Sequence, residues 1–387
     1  MVGMGDLFGH PWIEGHEMER VPVTATELER AMLEPGDLLF ARRSVKLAGA
    51  GVCSIYWGSD EPTTFESSLI RVRLDQSIAD PLFFFYFFRS QPGRQRIETI
   101  VEQTAVAGIK ASSLGRLSIS VPLLEEQKQV AKVLRSLDEN IGNNRRLART
   151  LEDIATTLFK ARFVDFIDQD DLVESEIGPI PRGWRVQEVG EVLRVVGGGT
   201  PSTKENAYWD NGIHCWATPK DLSGLTEPIV LTTARHITDA GVKRISSGLL
   251  PPRTVLMSSR APVGYTAISL VPVAVNQGFI AIPPDDHVPS EYVLLWLRAN
   301  MGRIKANAGG STFAEISKRA FRPIPMLLPP SEELKSFKQS IEPLISRIAA
   351  CARENASLSE IRDSLLPRLI SGQIRVQPDA EVVSQVA

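Results

Sequence analysis

Leu117-Ser118-Ile119-Ser120-Val121-Pro122-Leu123-Leu124-Glu125-Glu126-Gln127 is written a second time, 207 residues later, as Ile324-Pro325-Met326-Leu327-Leu328-Pro329-Pro330-Ser331-Glu332-Glu333-Leu334. Each copy is an apolar run, a proline and an acidic pair that opens a long helical pattern. The echo continues in Leu151-Glu152-Asp153-Ile154 with Leu158-Phe159, against Leu358-Ser359-Glu360-Ile361 with Leu365-Leu366. A repeat this long means two copies of a domain plus a helix, not a short-period solenoid. Two equivalent heads on two equivalent helices predict approximate two-fold symmetry. Such an object suits a target that is itself two half-sites.

The spacing predicts one continuous helix from Gln127 to Phe163. No proline interrupts it, and the interior Gly142 costs only about 1 kcal/mol. Val130, Leu134, Leu137, Ile141, Asn144, Ala148, Leu151, Ala155 and Leu158 recur by fours and threes, a heptad seam sustained for about four repeats. The second copy places Phe337, Ile341, Leu344, Ile348, Cys351, Asn355, Leu358 and Leu365 on the matching positions, with Arg362 as an exception. Each narrow apolar stripe needs a partner stripe, and each helix is the other's natural partner. Asn144 and Asn355 read either as tolerated polar flaws or as register pins. Antiparallel pairing is expected, because the first helix delivers the chain to head two and the second can return. The heads then stand at opposite ends of a rod about 60 Å long, at 1.5 Å per residue.

Composition agrees with this architecture. The 387 residues suffice for two domains plus connecting helices. A 43% hydrophobic and 23% charged content is that of a soluble globular chain. The aromatic run Leu82-Phe83-Phe84-Phe85-Tyr86-Phe87-Phe88 is too short to span a bilayer. It reads as a buried helix matched by Tyr292-Val293-Leu294-Leu295-Trp296-Leu297. No membrane role and no secretion signal are expected, and three scattered cysteines form no metal or pair spacing, so a cytoplasmic home is the simplest. The net charge of -3 argues neither for nor against nucleic acid, so only local clusters bear on it. Those clusters are Arg42-Arg43 with Lys46, Arg94 with Arg96, and Arg253 with Arg260.

The expected organisation is α+β: a first head over 1–122, a first spacer helix over 123–167, and a polar, proline-rich linker over 168–182. A second head over 183–328, a second spacer helix over 329–375 and a disordered tail over 376–387 follow. Within head two, Val192-Leu193-Val195-Val196 and Thr254-Val255-Leu256-Met257 read as strands. Gly197-Gly198-Gly199-Thr200-Pro201 reads as a tight turn, and Ala274 to Ile282 as a further strand.

Searches for catalysis come back empty. No G-x-x-x-x-G-K-[ST], H-E-x-x-H or G-x-S-x-G occurs, and the five histidines form no cluster. The glycine run reads either as a phosphate-binding turn or as glycines permitting positive φ. Polar clusters recur at strand ends. Ser258-Ser259-Arg260 follows a strand in head two as Ala41-Arg42-Arg43-Ser44 follows Asp37-Leu38-Leu39-Phe40 in head one. Asn276-Gln277-Gly278-Phe279 stands opposite Phe65-Glu66-Ser67-Ser68. Asparagine and glutamine can read adenine, and arginine can read guanine or hold phosphate; a hydrogen-bonded structural turn is the other reading of Asn276 and Gln277.

The assembled pattern resembles the specificity subunit of type I restriction-modification systems. It rests on Ile180-Pro181-Arg182-Gly183-Trp184, Gly199-Thr200-Pro201-Ser202 with Tyr208-Trp209, Lys220-Asp221-Leu222, Arg260-Ala261-Pro262-Val263-Gly264, Asn276-Gln277-Gly278, Gly310-Ser311-Thr312 and Leu328-Pro329-Pro330 with Glu332-Glu333. The resemblance covers residues 1 to about 375. It implies two target-recognition domains, each reading half of a split double-stranded DNA sequence. It also implies helices that space them and dock two modification subunits, with restriction subunits joining the complex. This chain would then be non-catalytic and hold no cofactor; S-adenosylmethionine, ATP and Mg2+ would belong to the partners. The DNA-facing candidates are Arg42, Arg43, Lys46, Gly199, Thr200, Ser202, Lys220, Ser259, Arg260, Asn276, Gln277, Ser311 and Thr312.

Head two runs some 35 residues before reaching Trp216-Ala217-Thr218-Pro219-Lys220-Asp221-Leu222, whereas Met1-Val2-Gly3-Met4-Gly5-Asp6-Leu7 is already its counterpart in head one. Head one is thus expected to be incomplete at its N-terminus relative to head two. A coiled-coil protein scaffold without DNA specificity is the competing class, and an enzyme acting on DNA itself ranks third.

Overall fold

The computed structural model describes residues 1–103, 106–167, 169–310 and 314–376. Two helices of 40 residues each, Leu124–Phe163 and Ser331–Ile370, dominate it. Among the described residues no helix is long and apolar enough to cross a membrane. The chain divides into two compact units, Met1–Ile141 with Ser357–Ala387, and Gly142–Ala356. The division cuts both long helices instead of following the linker, because each head shares its apolar core with the helix segments beside it.

In the first unit a four-stranded sheet runs Trp12–Glu14, Cys53–Gly58, Leu38–Ala41, Leu69–Val72. Leu38 and Phe40 point to one face, where Phe83, Phe85 and Phe88 pack; Leu39 and Ala41 point to the other, with Ile13 and Leu7. Both faces are covered, so the central strand reads as an unbroken apolar run. The aromatic run forms the expected buried helix, Pro81–Arg89. Pro81 opens it, and the Asp80 carboxylate accepts from the Phe83 N–H at 2.8 Å, satisfying an otherwise orphan donor. Val130, Ala131 and Leu134, near the start of the first long helix, join this core together with Leu369 and Ile370 at the end of the second.

In the second unit a four-stranded sheet runs Ile229–Val230, Thr266–Ser269, Val255–Ser258, Phe279–Ile282, and a three-stranded one Arg235–Ile237, His214–Ala217, Val273–Val275. Arg185–Glu188 pairs antiparallel with Pro325–Leu328. The end of the first long helix meets the start of the second: the rings of Phe159 and Phe163 lie 6.0 and 4.8 Å from that of Phe337. In both units, therefore, the long helices pair antiparallel.

The heptad reading needs one correction. Val130, Leu134, Ile141, Asn144, Phe337, Ile341, Ile348 and Asn355 are buried, and Leu137, Leu151, Leu344, Leu358 and Leu365 are half-buried. Leu158, however, is 37% exposed, and Phe159 takes the inward position. A straight helix drifts about 20° per heptad against a strict 3.5 repeat. By this point the inward face is set by Tyr292 and Phe337, which Phe159 and Phe163 engage one helical turn apart.

Three other local readings change. Val192-Leu193-Val195-Val196 is not a strand: Val189–Val192 is a helical turn, and Val196 makes one isolated bridge to Ala281. Ala274 to Ile282 is two strands in different sheets, broken because the Asn276 side chain accepts from the Gly278 N–H at 2.8 Å. Gly197, Gly198 and Gly199 do not take positive φ. Gly198 is required by close approach instead: a Cβ there would sit 1.7 Å from the Val275 carbonyl oxygen. The tail over 377–387 and Asp168 of the linker lie outside the described residues.

The repeat is visible in backbone detail. Val2 bridges Phe65 in parallel, as His214–Ala217 pairs in parallel with Val273–Val275. The Gly3 N–H donates to the Asp6 carboxylate at 2.8 Å, as the Thr218 N–H donates to that of Asp221 at 2.8 Å. Residues 1–7 thus take the place that 216–222 take in head two.

Candidate nucleic-acid interface

In head two, strand Val255–Ser258 delivers Ser259 and Arg260. The Ser259 N–H donates to the Gly278 carbonyl at 2.8 Å, and its carbonyl accepts from Ile316 at 2.9 Å. Ser259 is buried. Its backbone therefore fixes the strand end, and only a small part of the residue reaches the surface, which weighs against it as a DNA-facing candidate. The next residue emerges: Arg260 is half-exposed and lies 3.7 Å from the Glu315 carboxylate.

Lys220, Arg260 and Asn276 line one surface hollow with Thr218 and Tyr265. Three candidates distant in sequence thus meet. Lys220 sits on the one-turn helix Pro219–Ser223, whose first turn is held by the Thr218–Asp221 hydrogen bonds. Asn276 spends its carbonyl oxygen on the Gly278 N–H, so its amide nitrogen is the group left to donate outward. The Thr200 hydroxyl donates to the Gln277 carbonyl oxygen at 2.6 Å, joining two more candidates. The loop bearing Gly199, Thr200 and Ser202 is pinned from behind. Trp216 donates its indole N–H to the Gly199 carbonyl at 3.1 Å, and Trp209 donates to that of Ser202 at 2.9 Å. Thr200 and Ser202 are exposed on it. Ser311 and Thr312 lie outside the described residues.

Two arginines escaped the sequence reading. The Arg235 guanidinium lies 3.6 Å from the Trp209 ring centroid, and that of Arg244 5.5 Å from the Tyr208 centroid. Arg235 is exposed and has no carboxylate partner among the described residues. Stacking on an aromatic face orients a guanidinium without neutralising it. The aromatic pair was visible in sequence, but Arg235 is brought to it only by cross-strand pairing with Trp216.

Head one repeats the frame. The Arg42 N–H donates to the Ser68 carbonyl at 2.9 Å and its carbonyl accepts from Ile109 at 2.9 Å, the same exchange that Ser259 makes. Arg43 therefore stands where Arg260 stands. Arg42 and Arg43 are exposed and line a hollow with Lys110, which pairs with Glu102 at 2.7 Å. Lys46 is exposed beside a short helical turn, Leu47–Gly49, and does not line that hollow. Glu66 takes the place of Asn276, accepting from the Met4 N–H at 2.7 Å and from the Ser68 hydroxyl. A carboxylate there accepts only, so the two heads offer different hydrogen-bonding codes on one frame.

Among the described residues no group of histidine, cysteine and carboxylate side chains could hold a metal ion. The three cysteines are free and buried. Burial pushes the Cys53 thiol up to about 12, which keeps it protonated and unreactive at neutral pH.

Residues 11–153 and 181–360 each match the type I restriction modification DNA specificity domain, and together they make up most of the chain. Over 200 residues the chain is 35% identical to the specificity subunit of the type I restriction enzyme MjaIX of Methanocaldococcus jannaschii, covering 51% of this chain and 46% of that one. It is 23% identical to the specificity subunit of the type I restriction enzyme HindI of Haemophilus influenzae, covering 77% of this chain and 78% of that one. The crystal structure of the S subunit of a type I restriction-modification system from M. genitalium shares the fold, with a TM-score of 0.56 at 15% identity, over 93% of this chain and 88% of that one. With its recognition domain present twice and its two long helices, the chain belongs to the specificity-subunit family of type I restriction-modification systems.

Proposed function

We propose that each head reads one half of a bipartite double-stranded DNA target, and that the helices set the gap between the halves. The observation that carries this is the shared strand-end frame. It presents Arg43 in one head and Arg260 in the other on the same backbone hydrogen bonds, while the neighbouring position changes from Glu66 to Asn276. A fixed cationic anchor beside a variable polar reader divides the labour as phosphate contacts and base contacts do. Lys220, Arg260, Asn276, Gln277 and Thr200 form the reading surface of head two, with Arg235 and Arg244 as further cations. Arg42, Arg43 and Lys46 serve head one.

The helices also carry the partner. Within the repeated words Leu151-x-x-Ile154-x-x-x-Leu158 and Leu358-x-x-Ile361-x-x-x-Leu365, the matched isoleucines do not fill the inter-helix seam. Ile154 is 43% exposed and Ile361 46%. The same outward isoleucine, at matched places on the two helices, fits two copies of one partner, the modification subunit. S-adenosylmethionine, ATP and Mg2+ belong to the modification and restriction subunits, and the complex acts on DNA in the cytoplasm.

Mobility-shift assays with the modification subunits present test the reading. Sequence-dependent binding is expected, and methylome sequencing of a host with and without the gene then gives the target. Assembly with the partners but no sequence preference in either assay would leave a protein scaffold and defeat the proposal.

A further inference from the structure

At the reading surface both heads turn one strand back on matching hydrogen bonds. In head two the Ser258 N–H donates to the Tyr265 carbonyl at 2.8 Å, and the Gly264 N–H donates back to Ser258 at 3.0 Å. In head one Ala41 donates to Val52 at 3.0 Å, and Gly51 donates back to Ala41 at 2.8 Å. Gly51 and Gly264 both take positive φ, which a glycine does at least cost. Arg42 matches Ser259, so the connecting loop is residues 43–50 in head one and only 260–263 in head two. The longer loop carries a surface that head two lacks. Val45 is 94% exposed and Leu47 49%, with Arg43 and Lys46 exposed beside them.

This loop is braced from within. The Arg94 guanidinium donates to the carbonyls of Ala48 at 3.1 Å and Ala50 at 3.3 Å. The Lys46 N–H donates to the Ser44 hydroxyl at 3.2 Å, and the Gly49 N–H to the Lys46 carbonyl at 2.9 Å. Gly49 approaches so closely that a Cβ there would collide with the Ser44 side chain. A loop held in this way presents its tip without having to order it on binding.

Cation, apolar tip and cation, in that order, match the chemistry of a duplex groove. Phosphates flank a base edge, and the major groove offers one apolar group, the 5-methyl of thymine. The minor groove offers none. Valine is also shorter than the phenylalanine, leucine and methionine wedges that unstack base pairs. Resting on the reading of head one as a DNA-recognition domain, we propose that Val45 is a specificity-determining residue. It contacts a thymine methyl group in the major groove, with Arg43 and Lys46 on the flanking phosphates.

The complex with its modification subunits, titrated with duplexes bearing the target found by methylome sequencing, tests this. Each thymine of the target is replaced in turn by deoxyuridine, which removes only the methyl group. At one position the parent should bind about four-fold more weakly, the scale of one buried methyl group. Val45→Ser should lose about the same factor on the thymine duplex and bind the thymine and deoxyuridine duplexes equally. Val45→Thr, which keeps one methyl, should retain part of the discrimination. Sequence-dependent binding in which no methyl loss couples to Val45 would overturn the thymine contact and leave the two-headed reading standing. No sequence-dependent binding by the parent complex would defeat both. Loss of the modification subunits from Val45→Ser, seen by native mass spectrometry, would make the tip a protein contact and overturn the inference as well.

Discussion

Asp138 and Arg362, 224 residues apart in sequence, meet at 2.7 Å where the two long helices face each other in the first unit. The Tyr86 hydroxyl donates to the other carboxylate oxygen of Asp138 at 2.8 Å, tying in the aromatic helix. Arg362 is the residue that broke the apolar seam. Burial alone would lower its guanidinium, but hydrogen bonds to Asp138 and Asp363 carry it above the ordinary arginine value. Burial, with the Asp138 charge added, also raises the Tyr86 hydroxyl, so it stays a donor throughout the neutral range.

Removing one member leaves the others short of partners in a site where Asp138 and Arg362 are only 17% and 29% exposed. Asp138→Asn should therefore destabilise the chain by about 2 kcal/mol, the scale of a hydrogen bond to a charged group. Asp138→Leu with Arg362→Leu should recover part of that loss. Urea unfolding of Asp138→Leu, Arg362→Leu and the double measures the coupling. Additive losses would show that the pair is not coupled.

Much of this was legible beforehand, and the limits have physical causes. Both 40-residue helices announced themselves through the acidic openings at Glu125 and Glu332 and through the seam spacing. The aromatic helix followed from its matched partner around Tyr292. The Asp138–Arg362 pair was not legible, because an arginine at a seam position is a flaw until the facing helix supplies a carboxylate. Nor was Arg235 at Trp209, since strand order decides that meeting. Gly198 looked like a turn residue, although only the Val275 carbonyl pressing on it explains it. Ser259 looked available as part of a polar run, and it is the strand's own anchor.

The reading surface predicts a split between Asn276 and Arg260. Asn276→Asp keeps the carbonyl oxygen that accepts from Gly278 but loses the outward amide donor. It should preserve stability within about 0.5 kcal/mol and relax or switch one target position at a cost of about 1–3 kcal/mol. Arg260→Ala should weaken binding evenly across sequences and reduce the salt slope by about 1. Binding titrations over a randomised half-site at several salt concentrations separate the two. Equal, sequence-independent losses with lower melting temperatures would assign both residues a structural role.

The outward isoleucine on each helix predicts stoichiometry. Ile154→Asp and Ile361→Asp replace exposed side chains, so each should change stability by less than about 0.5 kcal/mol. Each should nevertheless remove one docking face. Native mass spectrometry with the modification subunit should count two copies on the parent chain, one on either single variant and none on the double. Two copies on the double variant would place docking elsewhere.

The helices' role as a ruler can be tested by changing their length. Inserting one heptad into both, after Asn144 and at the matching point near Cys351, adds about 10.5 Å at 1.5 Å per residue. DNA rises about 3.4 Å per base pair, so the preferred gap should widen by about 3 base pairs while the half-site bases stay the same. Seven residues nearly keep the helical phase, so each head should continue to present the same face. A four-residue insertion at the same points displaces every seam residue after Asn144 from its position, and it should impair assembly more than seven do. Methylated motifs from cells carrying each variant report both quantities at once. A gap that does not change, or half-site bases that do, would show that something other than the paired helices sets the spacing.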